Sequence, residues 1–551
     1  MKSLAIFAAL TVGLLLLSLN PQPVAAKGNI DKKAQKEAWG EAENFLKRDK
    51  EAVDEVVDAL EKLKGLLDHD LALELLKYFD ECDRAWDAAS GDKNAPKEAK
   101  GRPKQAYKIA NQILECIKTM DDPEEVAKFE EDINNRDDFS LRPRMAMVDA
   151  VARHFDDEAC AKVLIDLAKN EGGDKDTDMR ILAIRYLGDH VENQDTYNIL
   201  MQALRDRSWR IRDVTVDALV RAASFNKDQT ILALINALAI ETGKMRKVIG
   251  DALERITGER LGTDPDAWID WFKEKKRAEQ GLPAKSGKGD RGTRVKVFKT
   301  ESFSDRYVFL IDTSISMTQK ISEEEKEKLK KSITSGPGDD KDPRRPLDWS
   351  QINCKLDLAR EEIIRSLEVM DPEHTTFTII AFAEEATAWK EELVATDEKN
   401  VEEVAKWLRG LKGNRRTNVF GALDAAYDLS EAIAGAEVDK RKHKKKKKDK
   451  DGPVTGPHRD DALPDTIFMY TDGYATWGKY SGEDKEWAGK SPQERAALYA
   501  PIMKLMVDEI KDRNRIARIT VNCVGVGNPQ DNTTLSALAR ACDGEYVQIG
   551  R

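Results

Sequence analysis

The sequence is poor in the residues that most often carry chemistry. Its 551 residues include six cysteines, six histidines and 7% aromatic residues. No two cysteines form a C-x-x-C pair, which removes the usual zinc and redox motifs, and six are too few for a disulfide scaffold of this length. The histidines are scattered and form no H-E-x-x-H motif. Because G-x-S-x-G and P-loop patterns are also missing, the sequence contains no recognisable catalytic constellation and predicts a protein that is not an enzyme.

Only one stretch is apolar enough to suggest contact with a membrane, and it lies at the amino terminus. A charged Lys2 precedes an apolar run from Leu4 to Leu19, and the small residues Val24 and Ala26 follow at the spacing that a signal peptidase reads. We predict a signal peptide over residues 1–26 and export to the periplasm, the cell envelope or the medium. A membrane anchor is the alternative, but the run is short for a bilayer span. The mature chain is expected to have no membrane span.

Neither sign of charge dominates the chain, which has 90 Lys and Arg, 101 Asp and Glu, and a net charge of −11. The basic residues are locally concentrated, with nine Lys or Arg between positions 440 and 450. This Lys tract cannot fold alone because its like charges repel and it has no apolar group to bury. Since export argues against nucleic acid as a partner, we expect a solvated linker, or else contact with an anionic envelope polymer.

Four arginines in the first half recur at spacings of 36, 32 and 34 residues: Arg144, Arg180, Arg212 and Arg246. Six positions after three of these arginines comes an alanine, and an apolar residue follows each time. A small residue allows two helices to approach closely, and the next residue faces a core shared by neighbouring repeats. The pattern resembles HEAT-type helical repeats, and an ordinary helical bundle is the alternative.

The predicted array closes in a tryptophan-rich helix. Gly262 ends one helix, Asp264 caps the next with Pro265 at its first position, and Trp268 and Trp271 cover the last apolar face. We therefore expect the following order of segments: a helical region over residues 27–137, HEAT-like repeats over 138–275 and a linker over 276–302.

The second half alternates apolar strands with amphipathic helices. Such alternation predicts an α/β doubly wound, mostly parallel sheet over residues 303–551, with a short antiparallel edge strand around 387–394. Two charged or Gly/Pro-rich insertions interrupt it, over residues 318–350 and 437–464. The first follows a candidate site directly, and we interpret it either as a solvated surface insert, which is favoured, or as a mobile rim over that site.

Three short polar segments follow predicted strands or precede a predicted helix. The first is DTSIS at 312–316, the second is Thr417 in GNRRTN, and the third is TDG at 471–473. The carboxyl ends of parallel strands are where open α/β sheets bind ligands. Hydroxyl and carboxylate oxygens suit Mg²⁺, which takes six oxygens at about 2.0–2.1 Å. The alternative is a Ser-rich turn that binds nothing.

These three segments, in this order, resemble the metal-ion-dependent adhesion site of the von Willebrand factor A domain. The resemblance implies that Ser314, Ser316 and Thr417 bind a metal ion through hydroxyl oxygens, whereas Asp312 and Asp472 act mostly through bound water. It implies Mg²⁺, with Mn²⁺ or Ca²⁺ as alternatives. One coordination position is left for an acidic side chain of a partner protein.

One residue departs from the pattern of that family. Ile315 stands where many members have glycine, and its side chain would strain the loop if its φ were positive. The departure removes no ligand oxygen.

Three functions remain open from the sequence. The first is a non-enzymatic binding protein that combines the cation site with a helical-repeat scaffold. The second is a metal-dependent hydrolase or envelope assembly factor in which Glu384 or Glu385 reaches the site. The third is a purely structural envelope protein with a vestigial site.

Overall fold

The computed structural model describes most of the chain in two compact units, Met1–Val163 and Leu164–Arg551. The described residues are 30–48, 53–91, 102–169, 176–279, 295–297, 300–334, 343–445, 459–473, 475–481, 490–527 and 532–549. The predicted signal peptide and residues 446–458 of the second insertion lie outside them. Among the described helices, none combines the length and apolarity that a bilayer crossing requires.

The first unit is built from helices, as the sequence predicts for residues 27–137. Its helices are α1 (Lys32–Arg48), α2 (Val53–Glu61), α3 (His69–Gly91), α4 (Arg102–Lys118), α5 (Pro123–Ala127), α6 (Glu130–Asn134) and α7 (Leu141–Arg153), and α8 (Glu158–Ala168) crosses into the second unit. Cys82 of α3 and Cys116 of α4 are buried and form no disulfide in this structure. The Cys116 thiol donates to the Leu60 carbonyl at 3.1 Å, and burial raises the pKa of this thiol to about 12.

The second unit begins with a helical array that consists of α9 (Thr177–Leu187), α10 (Gln194–Ala203), α11 (Trp209–Arg221), α12 (Lys227–Leu238), α13 (Gly243–Thr257) and α14 (Pro265–Glu279). Three of the repeating arginines each reach from a helix to a turn of this array. Arg180 pairs with Asp206 at 2.8 Å and Arg246 donates to the Thr263 carbonyl at 2.9 Å. Arg212 forms a forked pair with Glu241. Arg180 and Arg212 thus tie the first helix of a pair to the turn after the second helix, whereas Arg246 ties α13 to the turn that leads into α14.

Helix α9 approaches helix α11 very closely at Gly188. A Cβ atom added to this glycine would lie 2.6 Å from the Ala218 Cα atom. Ala218 and Ala252 are both buried, so the small residues predicted at helix contacts lie where the sequence places them. The structure supports stacked helix pairs, and their identity as HEAT-type repeats stays a prediction.

The tryptophan-rich helix α14 closes the array as predicted. The Asp264 side chain accepts hydrogen bonds from the first backbone N–H groups of this helix. Trp268 is fully buried, donates its indole N–H to the Gly262 carbonyl at 2.8 Å and packs edge-to-face against Trp271 at 5.9 Å. A bulky aromatic pair therefore covers the last apolar face of the array.

The α/β part contains one mostly parallel sheet. The described strands are β1 (Val295–Val297), β2 (Thr300–Ser302), β3 (Arg306–Asp312), β4 (Thr376–Phe382), β5 (Ala386–Ala388), β6 (Val394–Ala395), β7 (Thr466–Thr471), β8 (Thr520–Val526) and β9 (Tyr546–Ile549). The sheet has the order β5-β4-β3-β7-β8-β9, and β6 also pairs with β4. The short strands β5 and β6 run antiparallel to β4, so the predicted edge strand consists of two separate pieces. Strands β1 and β2 form a separate hairpin.

Helices cover both faces of this sheet. They are α15 (Glu323–Thr334), α16 (Lys355–Leu367), α17 (Glu398–Gly410), α18 (Val419–Lys445), α19 (Pro492–Ala517) and α20 (Asn532–Ala541). Helices α16 and α17 share a core with Phe309 and Phe468, whose rings stack at 5.9 Å, while α18 and α20 contact the sheet as well. Both faces of the central strands are buried because β3 and β7 are apolar at nearly every position. The predicted fold class, a helical region followed by a doubly wound, mostly parallel sheet, is confirmed.

The array and the sheet meet at the amino ends of the strands through a junction of buried charges. Asp460, near the end of the second insertion, is fully buried and accepts two hydrogen bonds of 3.1 Å from Arg210 of α11. Arg518, just before β8, pairs with Asp217 at 2.6 Å and also with Asp213. Burial opposes the charge on Arg210, but Asp460 and Asp178 outweigh it and raise the pKa of this guanidinium. Paired charges therefore hold the array against the sheet.

We expect Gly188→Ala to destabilise the second unit by about 1–3 kcal/mol, because the new methyl group would overlap the backbone of α11. Gly188 has φ −60°, so the cost is steric and not conformational. Gly410→Ala is the matched control, since a Cβ atom there meets nothing within 4 Å. Urea denaturation measures both. Equal stabilities of the two variants would contradict the close approach.

Asp460→Ala should lower the free energy of unfolding by about 3–5 kcal/mol, because it leaves a buried guanidinium short of its main partner. The exposed pair of Arg260 and Glu254 provides the control. Glu254→Ala should cost no more than about 1 kcal/mol. A loss for Asp460→Ala no larger than that of the control would mean that the junction contributes little to stability.

Candidate metal centre

The candidate site lies at the carboxyl edge of the sheet, where β3 and β7 end side by side. These strands are parallel neighbours, with Ile311 opposite Tyr470. Asp312 ends β3, and Asp472 directly follows β7. The pairing therefore brings two carboxylates that are 160 positions apart in the chain to one edge, as the sequence predicts.

Hydrogen bonds connect four of the five predicted site residues in a chain. The Ser314 backbone N–H donates to Asp312 Oδ1 at 2.7 Å, and the Ser314 and Ser316 hydroxyl oxygens are 3.0 Å apart. The Ser316 hydroxyl in turn donates to Asp472 Oδ1 at 2.7 Å. Because Ser316 gives its proton to a carboxylate, its oxygen accepts the Ser314 hydroxyl with one lone pair and keeps the other for a cation.

Thr417 is brought to this group by backbone hydrogen bonds between loops. The Asn414 N–H donates to the Thr313 carbonyl and the Thr476 N–H donates to the Thr417 carbonyl, each at 2.8 Å. The Asn418 N–H donates to the Ala383 carbonyl at 2.8 Å. Thr417 itself is only 4% exposed. The loop that carries Thr417 is therefore fixed between the loops that follow β3 and β7, next to the end of β4.

Asp312 is a buried carboxylate without a matching charge. Its exposed fraction is 0%, and no Lys, Arg or His in the described part of the chain forms an ion pair with it. The pKa of Asp312 is raised to about 7, and burial is the largest cause. Hydrogen bonds from Thr471 and Ser314 act in the opposite direction, and the charge of Asp472 acts in the same direction as burial. A nearby cation would favour the charged form. The electrostatics of this position thus fit a bound metal ion.

The spacing of the oxygens also fits a small cation. Neighbouring ligands of an octahedral ion with bonds of about 2.1 Å lie about 3.0 Å apart, and the two serine oxygens lie at 3.0 Å. The ligand set implied by the resemblance consists of three hydroxyls and two carboxylates. This is a different class from sites built of three or more His, Cys, Asp or Glu side chains, of which the described residues contain none.

Ile315 does not strain the loop. It begins a short 3-10 helix, Ile315–Thr318, and it is not among the described non-glycine residues with positive φ, which are Arg518 and Asp543. Its side chain is 60% exposed. The departure from glycine therefore leaves the loop geometry intact and presents an apolar group beside the site.

The first insertion packs on the domain more than a solvated insert would. Leu329 of α15 is buried and contacts the core that α16 and α17 share. Arg344, at the returning end, pairs with Glu362 of α16, and both side chains are buried. The Ile321 N–H donates to the Asn353 carbonyl at 3.0 Å. This bond joins the two ends of the insertion beside the segment 312–316. Residues 335–342 lie outside the described part, and a rim over the site stays a prediction.

Two residues that contact the site were missing from the sequence-based prediction. The Thr471 hydroxyl donates to Asp312 Oδ2 at 2.6 Å, and Lys355 pairs with Asp472 Oδ2 at 2.5 Å. The sequence could have indicated Thr471, because this residue opens the TDG segment and lies at the end of the same strand. Lys355 had no local signal, since it lies on α16, which is far from the motif segments in sequence.

The similarities to known proteins are confined to part of the chain. No family model matches it. A segment of 83 residues, 15% of the chain, is 33% identical to human von Willebrand factor A domain-containing protein 3B and covers 6% of that protein. A segment of 82 residues is 34% identical to the bovine inter-alpha-trypsin inhibitor heavy chain H4 and covers 9% of it. These similarities support a von Willebrand factor A domain in this chain. They do not test the metal site.

Solved structures match at low overall similarity. An aerotolerance-related membrane protein from Bacteroides fragilis is 13% identical, with 44% of this chain and 90% of that chain covered and a TM-score of 0.24. BatB from Bacteroides thetaiotaomicron is 14% identical, with 45% and 90% covered and a TM-score of 0.23. A von Willebrand factor type A protein from Catenulispora acidiphila is 15% identical, with 45% and 40% covered and a TM-score of 0.24.

Thr471→Val should weaken metal binding about 10- to 100-fold, because it removes the hydrogen bond that orients Asp312 while keeping the shape of the side chain. Thr387→Val, on the exposed surface of β5, is the control. Titration calorimetry with Mn²⁺ measures both affinities. An unchanged affinity for Thr471→Val would exclude this role for the hydroxyl.

Proposed function

We propose that this protein is an exported, non-enzymatic binding protein that grips an acidic side chain of a partner protein through a divalent cation. The cation would be Mg²⁺, with Mn²⁺ or Ca²⁺ as alternatives. The ligands proposed from the resemblance are Asp312, Ser314, Ser316, Thr417 and Asp472. The observation that carries the proposal is the buried Asp312 carboxylate, which has no cationic partner among the described side chains and lies in a chain of hydroxyl groups.

The surroundings of the site favour an acidic partner. Lys412 and Arg415 are exposed on the loop that leads to Thr417, and they add positive charge next to the proposed cation. Exposed Ile315, within the segment 312–316, offers an apolar contact beside the site. A carboxylate on the partner would fill the open metal position, and further acidic residues around it would be attracted by the two basic side chains. The proposed ligand is therefore an acidic segment of a protein.

The position of the helical array leaves this edge accessible. The array contacts the amino ends of the strands, for example through Thr242, which donates to Asp305 at 3.0 Å, and through Arg210. The candidate metal centre lies at the other end of the strands, at their carboxyl ends. We propose that the array supplies a second, extended binding surface without covering the first.

Metal binding is the first part of the test. Mn²⁺, Mg²⁺ or Ca²⁺ added to the full-length protein should give a saturable calorimetric signal, and Thr417→Ala should weaken it at least tenfold because a ligand oxygen is lost. Thr387→Ala is the control, since this exposed threonine lies on β5. A wild-type protein that gives no signal with any of the three salts would refute the proposal.

Partner binding is the second part. Capture of a protein from cell-envelope extract should require the cation, disappear in EDTA and disappear with Thr417→Ala. Arg415→Glu should not weaken metal binding but should weaken the same capture, because it places a negative charge where the partner's acidic residues would approach. Capture that persists in EDTA would contradict the proposal. Phosphoester or peptide turnover that depends on Mg²⁺ would favour the hydrolase alternative, with Glu384 or Glu385 as candidates.

A further inference from the structure

A lysine occupies one side of the proposed metal centre. The Lys355 ammonium contacts Asp472 Oδ2 at 2.5 Å, while Oδ1 of the same carboxylate accepts the Ser316 hydroxyl at 2.7 Å. Asp472 is 2% exposed and Lys355 is 20% exposed. Both carboxylate oxygens of Asp472 are therefore engaged, and one of them contacts the positive charge of Lys355.

The backbone around Lys355 is arranged to admit this contact. Lys355 is the first residue of α16, where Cys354 is the N-cap and where the positive end of the helix dipole disfavours a cation. The following residues Leu356 and Leu358 are buried, so the start of the helix is fixed. The contact with Asp472 offsets the unfavourable position of the lysine.

Gly527, after β8, provides the space for the lysine side chain. A Cβ atom at this glycine would lie 2.8 Å from the Lys355 Cε atom and 3.5 Å from its Nζ atom. Gly527 also has φ +80°, a conformation that other residues rarely adopt. The path of Lys355 to the carboxyl edge therefore depends on a glycine on a different strand end.

We propose that Lys355 is an internal cation of the metal centre, which neutralises Asp472 in the metal-free protein and weakens divalent-cation binding. A metal ion that approaches Asp472 meets the like charge of the ammonium, and repulsion between like charges lowers its affinity. This inference rests on the proposed function and adds a residue that sets how readily the site loads. Binding of metal and partner then requires Lys355 to leave Asp472 or to share it.

The charge of Lys355 also acts on a carboxylate of the first insertion. Glu325 of α15 accepts hydrogen bonds from the Ser322 N–H and hydroxyl, which lower the pKa of its carboxyl, and the positive charge of Lys355 adds to this effect.

Lys355→Met tests the proposal, because methionine keeps an unbranched side chain of similar length and removes the charge. Titration of the full-length protein with Mn²⁺ should show at least tenfold tighter binding for Lys355→Met than for wild type. Lys320→Met is the matched control: Lys320 is exposed and lies close to the same loop, so this variant loses the same charge without touching Asp472, and its affinity should change less than twofold.

The rise in melting temperature on adding Mn²⁺ supplies a second readout, and a merely structural role of Lys355 would not change this rise. Without metal, Lys355→Met should melt below wild type because Asp472 loses its partner, and saturating Mn²⁺ should raise its melting temperature more than it raises that of wild type. If Lys355→Met does not fold, Lys355→Gln replaces it in both measurements.

The outcomes separate the two proposals. Mn²⁺ binding by wild type with equal or weaker binding by Lys355→Met would overturn the role of Lys355 and leave the metal site standing. A melting temperature lowered equally with and without Mn²⁺ would also overturn it. No Mn²⁺ binding by either protein would refute the metal site, and this inference would fall with it.

Discussion

Burial of the Asp312 carboxylate at the end of the central strand governs the arrangement of the whole carboxyl edge. A carboxylate taken out of water has to be compensated by hydrogen bonds or by a cation. Here two donors reach it, the Ser314 N–H at 2.7 Å and the Thr471 hydroxyl at 2.6 Å. These bonds stabilise the turn after β3 and the end of β7 relative to each other. No cationic side chain in the described part of the chain forms an ion pair with Asp312, which makes the edge suitable for a metal ion.

The same sheet uses charge in opposite ways at its two ends. At the amino ends, Arg210 and Arg518 are matched by Asp460, Asp213 and Asp217, so buried charges are paired and hold the helical array in place. At the carboxyl ends, acidic and hydroxyl oxygens outnumber the one lysine that reaches them in the described part of the chain. Breaking a buried charge pair is costly, so the paired charges favour a fixed structure. The excess of oxygens lies at the other end of the sheet, where we propose that a cation binds.

Much of this organisation could be predicted from the sequence. Apolar runs such as YVFLID and TIFMY identified β3 and β7, and the polar residues after them identified the edge where Asp312 and Asp472 meet. The recurring arginines and alanines marked the helix pairs of the array. These features are local and periodic, and a single sequence displays them directly.

Other features depend on pairings that leave no local trace. Lys355 lies in an amphipathic helix like many other lysines, and only the fold brings it to Asp472. The junction with Asp460 was equally hidden, because this residue follows a Lys-rich tract whose composition suggests only a linker. The predicted edge strand was wrong in detail because Val394 and Ala395 pair with β4 separately from β5. Long-range contacts of this kind follow from topology and not from spacing.

The anchoring of Asp460 has a consequence for the Lys tract that precedes it. Before the tract, the first turns of α18 are anchored by the buried residues Val419, Leu423 and Ala426. After the tract, Asp460 accepts hydrogen bonds from Arg210 and from the indole N–H of Trp209. Both flanks are thus secured by the folded body independently of the peptide that joins them. A protease that cut within residues 446–458 would produce two polypeptides that remain associated, because the strands on either side of the cut are neighbours in one sheet.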